Sequence, residues 1–281
     1  DWAKEKPLYE QIIALYDTLA LTTDDQAREA VQLRINEVSR EAAQYAATDE
    51  FSNLIQGIGG EGLNAFTSYD VTCYMNSFPS YQMERWLTLY ADRLTNPVFR
   101  SFQAELENVF EEYNMYLDDN STHVRNFIFG KLYEGHAYAR DIIGYPEDLK
   151  NPKLRKLIDF YNTWYVPNNM ALILVGDFEI ETTKPLIEKT FGKLQSRPLP
   201  ERTKYPTTAF TQDERYTAKL GYMPELNIAY NGVAVGDKDE LTLNFVANLL
   251  SNSMQIGLLD QLTLDNKLMY AVAANDTRRD Q

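Results

Sequence analysis

The sequence predicts an α+β fold in which many helices alternate with a few short strands. Several segments place apolar residues at steps of three and four, which is the spacing of one buried helix face. Runs rich in β-branched and aromatic residues predict strands at 64–68, 71–75, 170–175, 227–235 and 268–274. The chain has 281 residues, 44% of them hydrophobic, so it can form one large domain or two smaller ones.

Residues 6–47 predict a helical hairpin. Its apolar stripes are Leu8, Ile12, Leu15 and Leu19, followed by Ala27, Val31, Ile35, Val38, Ala42 and Tyr45. The capping box Thr23-Asp-Asp-Gln26 marks the start of the second helix. Two helices this short need an outside surface against which to bury their stripes. We expect a structural arm, and a coiled coil that binds a partner is the alternative.

Residues 51–79 change from helical to strand-like character. A short helix at 51–58 runs into four glycines between residues 57 and 62. The first two strands follow, and they should meet at a tight bend or bulge at Tyr69-Asp70. The glycine segment lacks the Lys-Ser/Thr pair of a P-loop, which excludes a phosphate cradle of that kind. We expect that these glycines, which lack side chains, allow another segment of backbone to approach closely.

The remaining chain continues the alternation of helices with single strands. Met170 to Val175 is a continuous apolar run and predicts the best-buried strand. Prolines and polar residues at 197–213 predict a linker. Further helices are predicted at 80–94, 102–118, 123–134, 152–164, 181–191, 239–251 and 257–264.

The helix at 102–118 carries four glutamates that differ in direction. Glu105 and Glu112 are seven residues apart, about two turns, so they stack on the rim of the apolar stripe. Glu107 and Glu111 fall on the solvent side. Two carboxylates at a core edge are costly unless they meet a cation, a donor or a metal. An ordinary amphipathic helix, whose rim glutamates reach water or pair with Arg and Lys, is the alternative.

Composition excludes several classes of function. The net charge of −14 argues against a nucleic-acid partner, whose phosphates need a basic surface. The single cysteine, Cys73, excludes an internal disulfide and a thiolate zinc cluster. The sequence contains no run of eighteen apolar residues, and we therefore expect no transmembrane helix.

The order of five motifs resembles the pitrilysin/insulinase family of zinc metallopeptidases, the inverted-motif zincins. The resemblance covers most of residues 51–194 and continues less clearly to the end. The motifs are Asn64-Ala-Phe-Thr-Ser68, Asn96-Pro97, Glu105-x6-Glu112, Tyr165-x-Pro167-x-Asn169-Met170 and Val175-Gly-Asp-Phe178.

The resemblance implies roles for six residues. Glu112 matches the distal glutamate ligand of the family's zinc, and Glu105 matches an outer-shell carboxylate near the site. The strand Asn64, Ala65, Phe66 and Thr67 matches the edge strand to which a bound peptide adds through main-chain hydrogen bonds.

One family feature is missing from the sequence. The family holds zinc with two histidines of an H-x-x-E-H helix, whose glutamate is the general base, and this motif is absent. His123 and His136 lack its spacing, and His136 is expected to be a structural loop residue. We expect an internal fragment, with the motif upstream of Asp1. Such a fragment should neither bind zinc tightly nor cleave peptides.

The resemblance also implies an arrangement of domains. Residues 1–50 would be a helical hairpin insertion and 51–196 the second half of a first peptidase-like domain. Residues 197–213 would be a linker and 214–281 the first half of a second domain. Each domain would be an antiparallel sheet packed with helices, similar to the LuxS and mitochondrial-processing-peptidase folds.

The function implied is that of a zinc-dependent endopeptidase or oligopeptidase. Its substrate would be an extended peptide enclosed in a two-halved chamber, and the partners would be that peptide and the missing remainder of the protein. Alternatives are a non-catalytic subunit of the same fold and a peptide-binding or scaffolding module. The resemblance favours the bacterial periplasm or cell envelope.

Overall fold

The computed structural model describes residues 1–47, 49–205, 210–221 and 223–275. They form a mostly helical structure with one small two-stranded antiparallel sheet. The chain divides into two compact units. The first comprises Asp1–Asp118 and Asp141–Thr203, and the second comprises Asp119–Arg140 and Lys204–Gln281. No helix in the described part is both long and apolar enough to cross a membrane.

Most predicted helices are present with boundaries close to those expected. In the first unit they are α1 (Trp2–Leu21), α2 (Asp25–Ala43), α3 (Glu50–Gly57), α4 (Met83–Thr95), α5 (Phe102–Leu117), α7 (Pro146–Lys150), α8 (Leu154–Trp164) and α9 (Ile180–Thr190). In the second unit they are α6 (Asn120–Leu132), α10 (Glu240–Leu250) and α11 (Asp260–Leu264). Short 3₁₀ turns lie at Ser80–Gln82, Ala137–Ala139, Pro167–Asn169 and Phe191–Lys193.

Helices α1 and α2 form the helical arm, whose stripes bury each other and part of α8. The arm's core contains Ile12, Tyr16, Leu19, Ile35, Val38 and Ala42 together with Leu154 of α8. An ion pair between Arg155 and Asp17 also joins α8 to α1, with nitrogen and oxygen 2.7 Å apart. The arm therefore packs against its own unit. The cap of α2 is Asp24 rather than the predicted Thr23, because its side chain accepts the Ala27 N–H at 2.9 Å.

The two strands of the first unit are β1 (Glu61–Thr67) and β2 (Thr72–Ser77). Asn64 pairs with Met75 and Thr67 with Thr72, with an irregularity between Glu61 and Asn64. The predicted bend at Tyr69-Asp70 is present, since Ser68 N–H donates to Val71 O across it at 2.8 Å.

A polar bridge joins this hairpin to α4. Asn76 of β2 accepts hydrogen bonds from Trp86 Nε1 at 2.9 Å and Tyr90 Oη at 2.7 Å. Trp86 and Tyr90 belong to a second core cluster, which includes Ile55 of α3 and Leu87 of α4. One amide therefore fixes the sheet to a helix through two aromatic residues that would otherwise bury unpaired donors.

Three predicted strands are not formed among the described residues. Residues 170–175 pair with no strand in the described part. The sequence predicts this run to be the best-buried strand, whereas Ile173 is 78% exposed and Val175 is 93% exposed. Residues 227–235 and 268–274 likewise lack strand pairing. A strand depends on a hydrogen-bonded neighbour, whereas a helix satisfies its own backbone. These runs have strand-like composition without a partner strand among the described residues.

In the second unit, aromatic contacts join α6 to the later segment. The ring of Phe127 meets Tyr216 edge-on at 6.4 Å, and Lys131 Nζ lies 4.9 Å from the centre of the Tyr216 ring. The buried Asp260 carboxylate accepts the main-chain N–H groups of Asn252 and Gly257. These bonds hold the pKa of Asp260 below its ordinary value. Residues 206–209 of the predicted linker lie outside the described residues, and the proposed domain division stays a prediction.

We expect Gly60→Ala to destabilise the protein by about 1–3 kcal/mol, because a Cβ there overpacks a closed site. That Cβ would lie 2.5 Å from Ile55 Cγ2 and 2.8 Å from the Ile55 carbonyl oxygen. Gly57→Ala is the matched control, since nothing lies within 4 Å of its Cβ position. Urea unfolding checks the pair, and equal midpoints for the two variants would contradict the close approach.

Candidate functional site

Helix α5 places the two candidate carboxylates on one exposed face. Glu105 and Glu112 lie seven residues apart and are both exposed, so about two turns bring them to nearly the same direction. The helix buries no residue completely. These carboxylates therefore face solvent, whereas the spacing of apolar residues in the sequence predicts that they lie against the edge of a core.

The exposed face leaves both carboxylates available to a ligand. Across the described residues, no hydrogen bond or ion pair reaches the side-chain carboxylate of Glu105 or Glu112. By contrast, Glu107 accepts a hydrogen bond from Gln103 Nε2 at 2.9 Å. Two unpartnered carboxylates in one direction fit a role in binding a cation, and they equally fit solvated side chains of an ordinary helix.

A catalytic zinc ion needs three protein ligands and an open position. The described residues contain no group of three His, Cys, Asp or Glu side chains that could hold a metal ion. Glu112 fits such a site as one oxygen ligand. A complete site requires ligands beyond those that the described residues bring together.

The two histidines belong to the second unit. His136 is buried, and its Nδ1 accepts the Tyr138 N–H at 3.1 Å at the start of a 3₁₀ turn. Its ring lies 4.3 Å from that of Tyr138 and 4.5 Å from that of Tyr205. His136 therefore caps a turn inside an aromatic cluster. His123 is half-buried on α6.

Strand β1 presents the edge predicted to bind peptide. It pairs with β2 on one side, and no described strand pairs with its other side. Because Ser68 and Val71 are hydrogen-bonded across the bend, the alternation of antiparallel pairs turns the main-chain groups of Ala65 and Thr67 away from β2. The Ala65 N–H is covered by its neighbour Asn64, whose Oδ1 accepts it at 2.8 Å. Asn64, Ala65, Phe66 and Thr67 are all exposed.

A group of tyrosines packs against the hairpin, and no motif in the sequence predicts it. Tyr74 of β2 shares a hydrogen bond of 2.8 Å with the hydroxyl of Tyr165, whose ring stacks on Tyr161 at 4.2 Å. The Arg93 guanidinium lies 5.3 Å from the Tyr74 ring centre and 4.2 Å from that of Phe51. Burial raises the pKa of Tyr161 to about 12, and burial followed by the bond to Tyr165 raises the pKa of Tyr74.

This tyrosine group ties the hairpin to α8 and α4. The spacing of Tyr161 and Tyr165 by four residues predicts that they share a helix face. Nothing in the sequence connects that face to Tyr74, which is 91 residues from Tyr165. The contact depends on how the sheet lies on the helices.

Comparison with family sequence models covers most of the chain. The family described as "Insulinase (Peptidase family M16)" matches residues 25–145, and the one described as "Peptidase M16 inactive domain" matches residues 153–280.

Bacterial zinc proteases are among the similar proteins. The chain is 26% identical over 230 residues to the uncharacterized zinc protease YmxG of Bacillus subtilis, covering 79% of this chain and 54% of that protein. It is 25% identical over 234 residues to the zinc protease PqqE of Helicobacter pylori, covering 80% and 52%. The chain thus spans about half the length of these relatives.

Two solved structures resemble the fold. A protease from Helicobacter pylori superposes with a TM-score of 0.66 at 24% identity, covering 82% of this chain and 58% of that one. The periplasmic protease PqqL from Escherichia coli gives a TM-score of 0.50 at 25% identity, covering 56% and 18%.

Proposed function

Because the chain belongs to the insulinase family of zinc proteases, peptidase family M16, we propose that the protein containing it is a zinc-dependent endopeptidase. Its substrates would be extended peptides enclosed between two halves of the protein. The observation that supports this proposal is the pair of exposed carboxylates on α5, which share one helix direction and meet no ion-pair partner among the described residues. The chain alone would neither hold zinc tightly nor cleave peptides, because it offers one of the ligands required.

In this proposal a carboxylate oxygen of Glu112 coordinates zinc. Glu105, about two turns earlier on the same side of α5, is an outer-shell carboxylate that keeps the local potential negative. Glu112 meets no competing cation in the described structure. Bound zinc supplies Lewis acidity that makes a water molecule nucleophilic near neutral pH. The remaining ligands and the general base would come from an H-x-x-E-H helix elsewhere in the protein.

The substrate would bind as an added strand along the free edge of β1. The outward main-chain groups of Ala65 and Thr67 would pair with the peptide backbone, which makes binding tolerant of side-chain identity. The Asn64 side chain, which now covers the Ala65 N–H, would swing away when the peptide binds.

We expect Ala65→Pro in the complete protein to raise KM for an extended peptide about fivefold, with little change in kcat. This factor corresponds to the loss of one hydrogen bond worth about 1 kcal/mol. Proline removes the N–H that faces the free edge and keeps the hydrogen bonds with β2 intact, because proline is tolerated where the N–H of an edge strand faces solvent. Ala65→Val keeps the N–H and is the control. Steady-state kinetics checks the pair, and an equal KM for both variants would contradict the edge-strand proposal.

The remainder of the protein is the second proposed partner. Residues 170–175, 227–235 and 268–274 have strand composition and exposed apolar side chains. We propose that strands from the rest of the polypeptide pair with them. This would complete two α+β domains, each an antiparallel sheet packed with helices.

A non-catalytic subunit or scaffold of the same fold is the second candidate. It is favoured by the match of residues 153–280 to a domain described as inactive. Sequencing the coding region upstream of Asp1 separates the candidates. An H-x-x-E-H helix there supports the peptidase, whereas a natural start without the motif supports the scaffold. The periplasmic description of PqqL leads us to propose the bacterial periplasm or cell envelope, where a signal peptide would be the expected finding.

A further inference from the structure

One face of α1 meets the segment that leads into α5. Glu5, Tyr9 and Tyr16 are spaced by four and seven residues, so they lie along a single helix face. Each contacts a residue between 99 and 103, immediately before or within the first turn of α5. The arm therefore touches the carboxylate helix where that helix begins.

The first of these contacts is a buried ion pair. Arg100 Nε donates to Glu5 Oε1 at 2.5 Å, and the Glu5 side chain is 4% exposed. The second oxygen, Glu5 Oε2, is also buried and has no hydrogen-bond partner among the described protein groups. A buried carboxylate in this position depends on its one cationic neighbour. Arg100 is thereby fixed one residue before the helix cap, Ser101.

The second contact reaches the helix itself. Tyr16 Oη donates to Gln103 Oε1 at 2.6 Å, and the Tyr16 ring meets Phe102 edge-on at 5.1 Å. Gln103 continues the chain of bonds by donating to Glu107 one turn later. Tyr16 is 1% exposed, so its hydroxyl has one fixed direction. The bond therefore sets the rotation of the first turn of α5.

Beyond that turn, α5 is held by half-buried residues along one face and by its packing against α7. None of its residues is completely buried, and its cap Ser101 has a left-handed φ of 55° and makes no side-chain capping bond. Glu112 is ten residues from Phe102, about 15 Å along the axis. A tilt of about 10° at the first turn would therefore shift Glu112 by about 2.5 Å, which exceeds the tolerance of about 0.2 Å in a metal–ligand distance.

We propose that the helical arm holds the carboxylate helix in register, with Glu5 and Tyr16 as positioning residues for Glu112. The inference rests on the proposed function, since it matters to the extent that Glu112 binds zinc. It assigns to residues 1–47 a role in metal affinity, in addition to the burial of an apolar stripe.

The test measures zinc affinity by chelator competition in the complete protein carrying Glu5→Gln and Tyr16→Phe. We expect a loss of about tenfold or more, the range for residues that orient metal ligands. Hydrogen exchange of residues 104–117 should rise in the same variant, because the first turn of α5 is released. Tyr16→Phe alone serves if the double variant fails to fold, and it should show a smaller loss in the same direction.

Asp17→Asn is the matched control. It removes the arm's ion pair with Arg155 of α8, which weakens the arm without touching α5. Its zinc affinity should stay within about twofold of the unchanged protein. An equal loss in the control and the test variants would overturn the proposal, as would unchanged zinc affinity in both test variants.

Glu112→Gln separates this inference from the proposed function. If that variant binds zinc as tightly as the unchanged protein, the zinc role of Glu112 fails and the inference fails with it. If it loses zinc while the arm variants keep theirs, the inference alone is wrong.

Discussion

In the complete protein, Glu112→Gln should lower zinc affinity by more than about 100-fold, and peptidase activity should fall with it. This loss is larger than the loss of affinity that most changes of outer-shell residues cause. The amide keeps the size of the side chain and removes its charge. The exposed position of Glu112 on α5 makes a folding defect small. Metal content after dialysis and the rate of peptide cleavage measure the two losses.

Glu111→Gln is the natural control for that experiment. Glu111 is the preceding residue and is also exposed, but about 100° of helix rotation separates the two side chains. We expect normal zinc content and normal cleavage in this variant. Comparable losses in both variants would mean that the charge of α5 matters and the direction of Glu112 does not.

Leu87→Ala should reduce the free energy of unfolding by about 2–5 kcal/mol, the range for a leucine truncated in a packed core. Leu87 on α4 is 0% exposed and lies in the cluster with Ile55, Trp86 and Tyr90. The cavity would open beneath the aromatic pair that holds Asn76, so the hairpin should loosen with the core. Urea unfolding gives the stability, and tryptophan fluorescence follows the environment of Trp86.

Leu33→Ala makes the same chemical change on an exposed helix position. Leu33 of α2 is 58% exposed, and its truncation should shift stability by less than about 0.5 kcal/mol. If Leu33→Ala cost as much as Leu87→Ala, burial would not be the source of the effect.

The sequence predicts the helices well and the strands poorly, for a physical reason. The apolar stripes with Ile12, Leu19, Ile35 and Val38 lie within residues 1–47, and they form most of the arm's core. The hairpin at 61–77 is also predictable, because its two strands are neighbours in sequence. Residues 170–175 are not predictable in this way, because their composition indicates a preference for strand structure but does not identify the strand with which they would pair.

The candidate site is likewise predictable only in part from the sequence. The common direction of Glu105 and Glu112 follows from helix geometry, and the structure has the expected helix. Their solvent exposure does not follow, because it depends on what covers α5. The bond between Tyr74 and Tyr165 and the bonds from α1 to residues 99–103 join residues that lie 87 to 95 positions apart. No periodicity within one segment carries such information.

The free edge of β1 has a consequence for how the isolated chain behaves in solution. An unpaired edge with exposed apolar neighbours is a template for pairing with a second copy, the usual first step of edge-to-edge aggregation. The net charge of −14 opposes this, because two copies repel each other as they approach. Salt shortens the range of that repulsion to about 10 Å at 0.1 M and about 3 Å at 1 M. High salt should therefore favour self-association of this chain, and low salt should keep it dispersed.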